Sequence, residues 1–169
     1  RKNGFFKVSE EKLEKADKFC EGYKAFLDSA KTERESVEYA VKAAEKHGFV
    51  PFDPAHKYAP GDKVYANNRG KALCLAVIGK EGCKNGVRIA AAHIDNPRLD
   101  LKPIPLYESS EMAYLKTHYY GGIKKYQWTA IPLAMHGVVI KRDGTCVNVC
   151  VGEEPGDPQF TITDILPHL

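Results

Sequence analysis

Hydrophobic and polar positions change rhythm twice along the 169-residue chain. Leu13, Ala16, Phe19, Tyr23, Phe26 and Leu27 recur at helical spacing and mark one apolar face of a helix. Ser9 can cap that helix, and Glu10 and Glu11 in the first turn suit the positive end of its dipole. A second helix is predicted from Thr32, where Glu35 completes a capping box. Val37, Ala40, Val41 and Ala44 line its inner face, and Gly48 after His47 is a terminator. The rhythm then shortens. Strands are predicted at 63–66, 71–78 and 87–93, the first two joined by a hairpin turn at Asn67-Asn68-Arg69-Gly70. Two helices followed by strands suit one flank and part of the sheet of an α/β domain.

Beyond about Lys102 helical periodicity fades. Pro103 and Pro105 are expected to break the chain. Strands are predicted at 113–120, 128–141 and 145–151, with Arg142-Asp143-Gly144 turning a hairpin between the last two. The division expected is therefore an α/β part over 1–102 and a β-rich part over 103–169.

Composition narrows the class. With 43% hydrophobic and 28% charged residues, the chain is expected to fold as a soluble globular protein. A net charge of +3, with lysines scattered among glutamates, argues against nucleic acid as a partner. No stretch approaches the roughly 20 apolar residues of a membrane helix, so no membrane partner is expected. The five cysteines are odd in number and lack Cys-x-x-Cys spacing, which suggests free, buried thiols and a cytoplasmic setting.

Candidate chemistry centres on His93-Ile94-Asp95, at the end of the apolar run Val87-Arg88-Ile89-Ala90-Ala91-Ala92. In an extended strand His93 and Asp95 point to the same face, and a metal-ligating histidine commonly leans on a carboxylate. By itself the tripeptide fits a hydrogen-bonded strand-end histidine better than a ligand. The other histidines are His47, His56, His118, His136 and His168. None has His-Glu-x-x-His spacing, which excludes the single-zinc helical protease. His47 reads as a helix-end residue, His56 as solvent-facing, and His118 and His136 as strand residues. No Gly-x-Ser-x-Gly elbow is present, and no cysteine has a catalytic context. Glu153-Glu154 lies in a loop with two prolines and reads as a surface pair.

The longer string Ala91-Ala92-His93-Ile94-Asp95-Asn96-Pro97-Arg98-Leu99-Asp100-Leu101-Lys102 resembles the first metal-ligand segment of the aspartyl aminopeptidase family of zinc metallopeptidases. Thr117-His118-Tyr119-Tyr120-Gly121-Gly122-Ile123 and Phe160-Thr161-Ile162-Thr163-Asp164-Ile165-Leu166-Pro167-His168-Leu169 resemble two further stretches, in the family's order. The resemblance implies a partial mixed-sheet metallopeptidase domain with flanking helices, followed by a β-rich insert that mediates subunit association. It implies that the chain is the amino-terminal part of a two-zinc aminopeptidase that removes the first residue of peptide substrates. His93 would ligate a metal, and Asp95 would act in catalysis by orienting the site. The bridging aspartate, the catalytic glutamate pair, a further acidic ligand and a distant histidine would all follow Leu169. The family's enzymes assemble as homo-oligomers, large tetrahedral dodecamers among them, and the segment ending at His168 would approach a neighbouring subunit's site. The rival reading is a non-catalytic binding or assembly module that keeps the fold without the site. Neither the preferred amino-terminal residue nor the working metal is legible in these residues.

Overall fold

The computed structural model describes residues 3–163. His168, and with it the end of the third family-like segment from Asp164 onward, lies outside them. The fold is mixed α/β, with small sheets and flanking helices. The chain divides between Ile94 and Asp95 into two compact units. Lys102 lies within a strand of the second unit.

In the first unit, helix α1 (Glu10–Ser29) packs on α2 (Glu33–Lys46), and α2 packs on a small sheet. The sheet has the order β1 (Val50–Pro51), β2 (Lys63–Asn68) and β3 (Ala72–Val77). β1 runs parallel to β2, and β2 antiparallel to β3. The Thr32 side chain accepts from the Glu35 amide while Glu35 reaches back to the Thr32 amide at 2.8 Å, so the capping box is complete. Ser9 caps α1 by position only, without a side-chain hydrogen bond. The 68–71 turn has Arg69 and Gly70 both at positive φ, 57° and 68°, as a type I′ hairpin requires.

Ala30, Val37, Ala44 and Val64 form the buried core of this unit. Burying a valine side chain such as Val37 or Val64 stabilises by about 1.5–3 kcal/mol. Polar contacts then fix α2 on the hairpin. The Tyr65 hydroxyl donates to Glu45 Oε1 at 2.8 Å, and Lys63 Nζ donates to the His47 carbonyl at 2.9 Å. That bond to Glu45, ahead of burial, holds the Tyr65 phenol above its ordinary pKa.

The run from Val87 to His93 departs from expectation. It carries neither helix nor strand, and Val87 and Ile89 are 64% and 82% exposed. A strand needs a neighbouring strand for its N–H and C=O groups, and among the described residues none pairs with this run. The cysteines also depart from expectation. Among the described residues no disulfide joins them, but all five are exposed rather than buried. Cys74 is one example: it lies on β3, most of whose residues are exposed.

The second unit contains two hairpins. β4 (Arg98–Ser109) pairs antiparallel with β5 (Met112–Tyr120), and β6 (Met135–Ile140) with β7 (Cys146–Val151). Pro103 and Pro105 do not end β4. Having no N–H to donate, they are accommodated where the register jumps between Leu101 and Leu106, with Ile104 at φ 52°. The strand expected over 128–141 is shorter than that. Trp128 closes a short 3-10 turn, Lys125–Gln127, while Thr129 and Leu133 form single bridges to Ile162 and Phe160. Pro132 and the positive φ of Ala130 interrupt any continuous ladder there. No described helix is long and apolar enough to cross a membrane.

Candidate functional site

His93 is exposed and closes the first unit beside Ile94. The Ile94 carbonyl accepts a 3.4 Å hydrogen bond from the hydroxyl of Ser36, which is 2% exposed on α2. The irregular run that carries the imidazole is thereby anchored to the best-packed helix of its unit.

Asp95 opens the second unit and is half-buried. Its Oδ2 accepts a 2.8 Å hydrogen bond from the Tyr120 hydroxyl. Tyr120 stands opposite Arg98 in the β4–β5 ladder, and the Arg98 guanidinium lies 4.1 Å from its ring centroid. Arg98 Nε donates to Asp100 Oδ1 at 2.7 Å, and a second guanidinium nitrogen donates to the Asn96 carbonyl at 3.4 Å. At Gly121 (φ 77°) the chain turns against Pro97, where a Cβ would lie 3.6 Å from the Pro97 Cα. The end of β5 thus holds the Asp95 carboxylate through the Tyr120 hydroxyl, and Arg98 at the start of β4 backs the tyrosine ring. Tyr120 was legible only as part of a family-like string. Its tie to Asp95 depends on a register that spans 25 residues.

The remaining histidines have local roles. His47 Nδ1 sits 2.7 Å from the Ala43 carbonyl at the end of α2, and His56 meets the Tyr58 ring edge-on. His118 is opposite Asp100 in the ladder and stacks on Tyr119. His136 Nε2 lies 3.0 Å from Glu153 Oε1 and 3.9 Å from Cys150 Sγ. Counting back from the Arg142-Asp143-Gly144 turn would have paired His136 with Cys150.

Among the described residues, no group of three or more His, Cys, Asp or Glu side chains is placed to hold a metal ion. The donors described here do not enclose an ion by themselves.

Comparison with known proteins gives a consistent answer. Residues 26–169 match the family model described as aminopeptidase I zinc metalloprotease (M18). A probable M18 family aminopeptidase 1 of Clostridium acetobutylicum is 51% identical over 172 residues, covering 99% of this chain and 37% of that protein. A probable M18 family aminopeptidase 1 of Thermotoga maritima is 46% identical, covering 94% of this chain and 35% of its own length. The crystal structure of aminopeptidase I from Borrelia burgdorferi B31 superposes with a TM-score of 0.90 at 41% identity. That match covers 98% of this chain and 41% of the other. The chain therefore spans little more than a third of the length of the curated relatives it matches.

Proposed function

Since the chain belongs to the aminopeptidase I zinc metalloprotease family, we propose that it is part of a metallo-aminopeptidase that releases the amino-terminal residue of peptides. The family match over residues 26–169 carries this reading. A protein of the relatives' length would supply the donors missing here. Two zinc ions would then activate the hydrolytic water, the family's zinc chemistry being the coarser ground for this. His93 is the metal ligand that this chain contributes. Asp95 holds the site in its working orientation, and its clamp by Tyr120 supports that role. Residues from about Lys102 onward build much of the subunit contact, the whole protein is a homo-oligomer on the scale of a dodecamer, and it acts in the cytoplasm on peptides.

The test is His93→Ala in the full-length protein. Metal content and peptide hydrolysis should both fall. A variant retaining the wild-type metal complement would remove His93 from the ligand set. In parallel, Asp95→Asn should retain metal while losing about 10–100-fold in turnover. Unchanged kinetics there would remove Asp95 from the mechanism.

A further inference from the structure

The second hairpin brings together three groups that the aminopeptidase reading does not use. His136 on β6 and Cys150 on β7 are direct partners in the antiparallel ladder, so their side chains share one face. Glu153 follows β7 by two residues. It is brought back over the hairpin by Gly152, whose φ is 107° and where a Cβ would lie 3.0 Å from the Ala134 Cα. A side chain there would be strained by the positive φ and would crowd Ala134, so the position favours glycine. The loop beyond is fastened as well: Asp157 Oδ2 accepts from the Gly152 amide at 2.8 Å and from the Glu154 amide at 3.3 Å.

The result is a largely covered imidazole, its side chain 14% exposed, with a carboxylate at 3.0 Å and a thiol at 3.9 Å from the same ring nitrogen. A carboxylate so close to Nε2 is favourable only when that nitrogen carries a proton, so Glu153 favours the imidazolium. An imidazolium beside a thiol stabilises the thiolate, the nucleophilic form of cysteine. The Cys150 residue itself is exposed.

We infer that Cys150 is a reactive thiol and a modification site for small electrophiles, low-molecular-weight disulfides in particular. In the step, Cys150 reacts as the thiolate, its proton given up to solvent, with the protonated His136 Nε2 beside it. The freed sulfur electron pair attacks one sulfur of the reagent. A new Sγ–S bond forms, the reagent's S–S bond breaks, and the departing thiolate takes up a proton from solvent while His136 keeps its own. One disulfide is exchanged for another: the Cys150 sulfur is oxidised to the mixed-disulfide level as the departing sulfur is reduced to a thiol.

The chain carries its own comparison thiol. Cys146 lies on the same strand and is also exposed, with its sulfur 4.0 Å from the Gly144 carbonyl in place of an imidazole. The native full-length protein, treated separately with iodoacetamide and with oxidised glutathione, should be sampled over time and each cysteine-containing peptide quantified by mass spectrometry. Cys150 is expected to react about tenfold faster than Cys146, and His136→Asn should bring the two rates together. Equal rates at Cys146 and Cys150 in the unmutated protein would overturn the inference, and that comparison holds even if the variant fails to fold. A Cys150 rate unchanged in a folded His136→Asn protein would overturn it as well.

Discussion

At the scale of single residues, backbone geometry gives the sharpest expectations. Gly152 combines φ 107° with a backbone approach that would set a Cβ 3.0 Å from the Ala134 Cα, so a side chain there requires Ala134 to give way. Gly152→Ala should destabilise the protein by about 1–3 kcal/mol, seen as a lowered thermal midpoint; an unchanged midpoint would show that the 152–157 loop can relax around a methyl group. Asp143 gives a charge-based test. The Thr145 amide donates to its Oδ1 at 2.9 Å, and bonding to Thr145 holds its carboxyl below the usual aspartate value. A depressed folded pKa stabilises the hairpin turn above the unfolded carboxylate range, and that contribution is lost as pH falls through the lower folded value. Followed by NMR, Asp143 should titrate below the other exposed aspartates, and Thr145→Pro, which removes the amide donor, should move it back. His93 and Asp95 could be singled out from the sequence because the signal is local, two residues apart in one string. The partnership of Tyr120 with Asp95 was not, because it arises from strand pairing between distant segments.

At the scale of elements, the contrast between the two helix starts is informative. Thr32 and Glu35 exchange hydrogen bonds, whereas Ser9 contributes none from its side chain. Thr32→Ala should therefore cost about 1 kcal/mol, while Ser9→Ala should change stability by no more than a few tenths. Denaturant midpoints of the two variants compare them directly, and equal losses would contradict the capping geometry. Helices and hairpins were readable because their signals are carried within the element: the apolar face of α2, the capping box, and the turn at Arg69-Gly70. The β4–β5 turn was not. Ser110 and Glu111 both adopt positive φ, 53° and 62°, without the Asn-Gly chemistry that usually announces such a turn. The 87–93 run misled for the opposite reason. Its composition describes a buried strand, but composition cannot supply the neighbouring strands that would bury it.

At the scale of the whole molecule, exposed apolar surface belongs to the argument. Ile104 is 88% exposed, Tyr126 67% and Leu106 66%, all in the unit that begins at Asp95. Apolar and aromatic residues left uncovered on a folded unit are suited to association, and aromatic side chains are enriched at protein contacts. If that unit supplies subunit contacts in the full-length protein, a charge at such positions should weaken assembly while leaving the unit folded, because these side chains support little of its own packing. Ile104→Glu combined with Tyr126→Glu should shift the mass measured by light scattering to a smaller species, with far-UV circular dichroism unchanged. The two readouts together separate loss of assembly from loss of fold. A variant that retains the mass of the unmutated oligomer would remove this surface from the interface. An unmutated enzyme that is monomeric and fully active would defeat the association role altogether.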